Sequence, residues 1–187
     1  MKHIILASNS PRRRELLAGL NLDFEVRVLP GIPENYPRSL PASEVAGFIA
    51  REKADAYRET IGQNDLVVTA DTVVVVGNEI LGKPKDTEDA HRMLRLIGGR
   101  THQVVTGVCL LTADKERCFS VTTDVTFKQL SEEEITYYIG NYKPFDKAGS
   151  YGIQEWIGYV GVTSISGSYF NVMGLPVQRV WEEIKKL

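Results

Sequence analysis

Apolar residues in this chain fall into two spacings, and each predicts a different element. His3 to Ala7 is a short continuous apolar run of strand type, Phe24 to Leu29 is a second, and Leu66 to Ala70 with Val73 to Val76 make a third region of β composition. Gly77-Asn78 supplies a hairpin turn from which Ile80-Leu81 returns. Val104 to Leu111 and Cys118 to Leu130 predict two further strands. In the second, Phe119, Val121, Thr123, Val125 and Phe127 share one face, while Ser120, Thr122, Asp124 and Thr126 share the other. Between these runs the apolar positions recur at helical spacing. Leu16, Leu17 and Leu20 give a helix its apolar side after a Ser10 cap and Pro11, with Gly19 or Asn21 to end it. Ser43 to Ile61 predicts a second helix whose Val45, Phe48, Ile49, Ala56 and Tyr57 lie together. A third runs from Asp86 or Thr87 to Ile97 and closes on Gly98-Gly99. Ser131 to Glu134 has capping-box spacing for a fourth, reaching to about Ile139. Pro176 opens the last, with Val177, Val180, Trp181 and Ile184 as its buried stripe.

Several polar residues break this pattern. Arg12, Arg13 and Arg14 occupy the first turn of the opening helix, where the dipole is already positive. With Ser8, Ser10 and exposed backbone N–H groups they describe an anion site best suited to phosphate; the alternative is an Arg-rich solvated helix. If Arg12 and Arg13 are there for phosphate, each is a stability liability without ligand. Lys53 projects into the apolar arc of the second helix, so it either snorkels to solvent or serves a buried anionic partner. Asp71 is a lone carboxylate between two strongly apolar β segments. A bend or bulge that re-aims its side chain would relieve the burial. Glu34 sits in a stiff Pro-rich loop, Pro30 to Pro41, where a carboxylate can be held over a site or simply face water. Lys83 lies in a tight Gly-Lys-Pro loop able to present an ammonium to phosphate. Asp146 to Gln154 is a glycine-containing stretch of binding-loop character, and the Gln154 amide carries the paired donor and acceptor that could read a base edge.

Composition narrows the chemistry. The 187 residues fit one large domain or two closely packed lobes, and 43% hydrophobic with 25% charged residues is ordinary for a soluble protein. A net charge of −2 confines the Arg cluster to a local role and argues against general nucleic-acid binding. No apolar run is long enough to span a membrane, and the residues from Met1 to Ile4 do not begin a signal peptide, so a cytoplasmic protein is expected. Cys109 and Cys118 are expected to be reduced thiols, because the former falls inside an apolar strand run. His3, His91 and His102 are scattered, which disfavours zinc, and neither a Walker A loop nor a GxGxxG is present. Anion-binding groups, isolated carboxylates and an amide, without a nucleophile–His pair, suit metal-assisted attack of water on a nucleotide phosphate.

In order along the chain stand LASNSPRR, EKA at Glu52 to Ala54, ADT at Ala70 to Thr72 and GKP at Gly82 to Pro84. GGRTHQVVTGV from Gly98, DKAGSYGIQ from Asp146 and NVMGLP from Asn171 complete the series. Together they closely resemble the Maf family of nucleotide pyrophosphatases over nearly the whole chain. The resemblance implies an α/β fold, a mixed twisted sheet flanked by helices, forming a single domain (1–187) of two lobes around a central cleft and related to inosine triphosphate pyrophosphatases. It implies cleavage of a nucleoside triphosphate to the monophosphate and pyrophosphate with a divalent cation, Mg or Mn. Carried over by position, Asp71 matches the proton acceptor, with Lys53 and Glu34 beside it as catalytic residues. Ser8, Arg12, Arg13, Thr72, Lys83 and Gln154 match substrate-binding positions. Glu34 and Asp71 are the metal ligands so implied, with direct base and metal ligand both open for Asp71. Thr72, with Arg12 and Gln154, resembles the branch acting on dTTP and UTP, extending to modified pyrimidine nucleotides; a sister branch with Gln after the Asp prefers a methylated guanosine triphosphate. A nucleotide-binding regulator of septum formation is the alternative from another class, and it would not need Asp71. The expected partner is the nucleotide, with no nucleic acid and no membrane, and a homodimer is expected by resemblance alone.

Overall fold

The computed structural model of the protein describes residues 2–187; Met1 lies outside them. The first strand, β1 (His3–Leu6), has Ile4, Ile5 and Leu6 buried. A strand covered on both faces needs such an unbroken apolar run. It pairs in parallel with β2 (Phe24–Val26) on one side and β3 (Asp65–Val76) on the other, in the registers Leu6↔Val26 and Leu6↔Val68. Parallel neighbours require helical crossovers. These are α1 (Pro11–Ala18), between β1 and β2, and α2 (Ala42–Asp55), between β2 and β3. β4 (Glu79–Leu81) folds back antiparallel on β3 after Gly77, whose φ of 59° is the turn conformation a hairpin needs. α3 (Thr87–Ile97) follows, capped by the Asp86 carboxylate on the Asp89 N–H. β5 (Thr101–Leu111) and β6 (Glu116–Phe127) form a long hairpin, and α4 (Glu132–Tyr142) starts at a complete Ser131–Glu134 capping box. The chain ends through α5 (Trp156–Gly161), β7 (Val162–Ser166), α6 (Tyr169–Met173) and α7 (Val177–Ile184). The sheet runs β2-β1-β3-β5-β6-β7, with β4 pairing β3, so the fold is the mixed α/β sheet flanked by helices.

By contact density the chain divides into two compact units. The first comprises the chain up to Asp71 with Thr106–Val121 and Gly174–Leu187; the second comprises Thr72–Val105 and Thr122–Met173. In the first, Ile5, Val67, Cys109 and Leu111 of the sheet pack against Ala50, Ala54 and Tyr57. In the second, Val74, Val76, Val104, Val125 and Phe127 pack with Met93, Leu94, Ile97, Tyr138 and Ile157. Among the described residues no helix is long and apolar enough to cross a membrane.

Four local expectations are corrected. The second helix stops at Asp55, because Tyr57 turns into the core and its hydroxyl donates to the Arg27 carbonyl and accepts from the Leu29 N–H. Ala56 is exposed as a result. β3 passes through Asp71 as one unbroken strand rather than bending there. On α7, Val180 is buried as expected, but Trp181 lies outside the core under the Lys185 ammonium (4.3 Å), and Glu183, paired with Arg179 and Lys186, is buried instead. Cys109 and Cys118 are joined as a disulfide instead of standing as thiols. The tight turn from Thr112 to Lys115 sets the register that puts them opposite one another, with Cα atoms 4.1 Å apart.

Candidate functional site

The first unit assembles an acid–base cluster from three elements. Lys53 lies in the last turn of α2, and its ammonium donates to Asp71 Oδ1 at 2.9 Å and pairs with Glu34 Oε1 at 2.7 Å. The Lys53 and Asp71 side chains are each 14% exposed, while Glu34, on its loop, is 50% exposed. Of the two sequence readings of Lys53, the structure selects the buried anionic partner. The pair also explains the straight course of β3: a carboxylate with an ammonium at hydrogen-bond distance has no need to be turned out of the sheet.

Two features fix this geometry, and neither stands out in the pattern of residues along the chain. The Thr69 hydroxyl, fully buried, donates to the Ala50 carbonyl at 2.6 Å, joining β3 to α2 two residues before Asp71 and one turn before Lys53. Gly107 on β5 lies directly against α2. A Cβ there would come within 2.3 Å of the Ala46 carbonyl carbon and the Gly47 nitrogen, so only glycine lets the helix lie this close.

The opening helix is capped as expected, with Ser10 Oγ accepting from the Arg13 N–H and Ser8 Oγ from the Ser10 N–H. Arg13 does more than the sequence implied. Its guanidinium donates to the Ala70 carbonyl at 3.0 Å and the Gly174 carbonyl at 2.8 Å, and reaches Ser8 Oγ at 3.5 Å. Burial lowers its pKa from the usual value, with the Asp71 charge acting in the opposite sense and Arg12 in the same one. Arg13 therefore anchors the backbone next to Asp71, and the expectation that it is purely a liability without ligand is reversed. Arg12 lies beside it, half-buried.

The second unit holds the other three sequence-derived positions. Thr72 follows Asp71 on β3. Lys83 sits in the loop after β4, where the Gly82 carbonyl accepts from the Gly149 N–H at 3.1 Å. Gln154 lies in the turn before α5, and its Oε1 is buried without a hydrogen-bond partner in the protein. Among the described residues, the grouping of metal-type ligands found away from these positions is Cys109, Glu116 and Cys118. Its sulfurs are bonded to each other, so it is not a thiolate site.

The family model for Maf-like proteins matches residues 3–187. The chain belongs to the Maf-like family. A dTTP/UTP pyrophosphatase of Phocaeicola vulgatus is 61% identical over 184 residues, covering 98% of this chain and 95% of that protein. Proteins of the same name from Bacteroides fragilis and Porphyromonas gingivalis are 56% and 54% identical, over 98% and 97% of this chain and 95% and 92% of theirs. Among solved structures, a HAM1 protein from Coxiella burnetii aligns over 100% of both chains with 14% identity and a TM-score of 0.49. In this Maf-like chain, Ser8, Glu34, Lys53 and Asp71 were visible in sequence as polar interruptions. Thr69 and Gly107 read there as ordinary strand residues, because their importance lies in what α2 brings against them.

Proposed function

We propose that this Maf-like protein hydrolyses dTTP and UTP, and modified pyrimidine nucleotides of the same shape, to the monophosphate and pyrophosphate. The observation that carries the reading is the Asp71 carboxylate held at 2.9 Å by an ammonium that also pairs with Glu34. A carboxylate so oriented can accept a proton from water as the water oxygen bonds to the α-phosphorus. The bond from that phosphorus to the bridging oxygen breaks, and pyrophosphate leaves with its electron pair. Lys53 aims the Asp71 carboxylate through its hydrogen bond, and Arg13 holds the Ala70 carbonyl so that the carboxylate stays in register. Ser8, Arg12 and Lys83 are assigned to the phosphates and Thr72 and Gln154 to the nucleoside by their donor chemistry and by family position.

A divalent cation fits the donor set. Glu34 and Asp71 present hard oxygen ligands that already converge on one cation, the Lys53 ammonium. Mg²⁺ or Mn²⁺ held there would supply charge neutralisation at the phosphate oxygens. A cytoplasmic location and a homodimer belong to the same proposal; in a reducing compartment the Cys109–Cys118 pair would favour its thiols.

Asp71→Asn tests the reading. The variant should fold and lose about 10² to 10⁴ in turnover of dTTP and UTP, the range of a lost general base. Phosphorus NMR of the wild-type products should show monophosphate and pyrophosphate. Orthophosphate with a diphosphate, or undiminished turnover in the variant, would overturn it.

A further inference from the structure

The second unit contains an ionic chain, built around a buried lysine, that the reaction itself does not use. Lys147 is almost fully buried, and its ammonium reaches Asp146 Oδ1 at 2.9 Å and Glu155 Oε1 at 3.1 Å. The other Glu155 oxygen accepts from the Tyr138 hydroxyl of α4, which in turn accepts from the Gly152 N–H at 3.0 Å. Burial and the Glu155 contact push the Tyr138 hydroxyl pKa up, so it stays a donor. These contacts tie both ends of the segment from Asp146 to Glu155 to one another and to a helix. Gln154 lies inside that closed segment. A point one Cβ away from Gly152 is 3.0 Å from Glu155 Cδ, 3.1 Å from Lys147 Cε and 3.2 Å from Gln154 Nε2, so the charged pair and the amide crowd one glycine. The amide oxygen is buried and unpartnered within the protein.

Amide chemistry gives this arrangement a consequence. A Gln side chain offers a donor and an acceptor that exchange places on a half-turn. One orientation complements the N3–H and O4 of uracil or thymine, and the other complements the N3 and N4 amine of cytosine. An amide free to turn accepts both bases, whereas one held in a fixed electrostatic frame selects one of them. We propose that Lys147, Glu155 and Tyr138 are positioning residues that lock the Gln154 amide in one orientation, and that this lock separates uridine and thymidine nucleotides from cytidine nucleotides. The proposal rests on Gln154 reading the base, as in the function proposed above.

The test compares kcat/KM for UTP and CTP in the wild type and in Gln154→Ala, Lys147→Met and Tyr138→Phe, with a thermal melt of each. Tyr138→Phe removes one hydroxyl and keeps the ring, so it decides the matter should Lys147→Met fail to fold. The wild type should prefer UTP, and Gln154→Ala should lower the UTP/CTP ratio by about tenfold, the effect of one well-formed polar contact. The two positioning variants should lower the same ratio severalfold, through reduced UTP turnover with CTP turnover held or raised. A purely structural brace would slow both nucleotides equally and leave the ratio unchanged. That result, with Gln154→Ala still lowering the ratio, overturns the lock alone. An unchanged ratio in Gln154→Ala, or no wild-type preference for UTP, overturns base reading by Gln154 and the lock with it.

Discussion

Acidification should unfold this protein partly through one buried imidazole. His102 on β5 is 1% exposed, its Nε2 lies 2.7 Å from the Tyr151 hydroxyl, and the Tyr151 and Phe127 rings stand 5.4 Å and 5.6 Å away. Burial lowers its pKa from 6.5 to about 4, with the Asp124 charge opposing the shift weakly. In the unfolded chain the imidazole titrates near 6.5, so the unfolded state binds the proton first and gains stability as the pH falls. The contribution of neutral His102 is therefore fully present above pH 6.5, declines below it, and is exhausted below about pH 4. Over the whole interval the shift corresponds to about 3 kcal/mol, and between pH 7 and pH 5 to about 2 kcal/mol. Replacing His102 with Gln keeps a polar partner for the Tyr151 hydroxyl but removes the titration. Urea unfolding of wild type and His102→Gln at both pH values isolates the effect, since carboxylates elsewhere titrate alike in both. The variant should lose about 2 kcal/mol less between pH 7 and pH 5, whatever its stability at pH 7. Equal losses in the two proteins would show that His102 is not held neutral by the fold.

Two further substitutions address how the acid–base cluster is held. Arg13→Gln should lower the melting temperature without ligand, by about 1–3 kcal/mol of stability, because the Ala70 and Gly174 carbonyls both lose a charged donor; an unchanged melt would return Arg13 to a phosphate-only role. Gly107→Ala should cost about 1–3 kcal/mol or more by pushing α2 off β5, and should reduce turnover as Lys53 moves with the helix. Chemical denaturation and dTTP hydrolysis measured on the same preparation check both effects, and full stability would mean that α2 can shift without loss.

The elements of this fold follow from the sequence wherever the determining interactions are local. Side chains recur at fixed intervals on a helix and alternate on a strand, and caps act within one turn, so the cap and closing glycines of α3, the alternation of β6 and the capping box at Ser131 were legible without a structure. The chemistry was legible as violation: a lysine in an apolar arc and an aspartate in a β run mark positions where folding alone would have chosen otherwise. Tertiary structure decided what each violation pairs with. Lys53 and Asp71 are 18 residues apart and Arg13 meets Gly174 across 161. No periodicity encodes such distances, because they depend on which strands become neighbours. The same cause hid the Cys109–Cys118 bond, set by hairpin register, and the exposure of Trp181, set by the ion pairs that bury Glu183 in its place. Composition assigns a residue its preferred surroundings; only the packed chain determines which preference is overridden, since burial is shared among positions far apart in sequence.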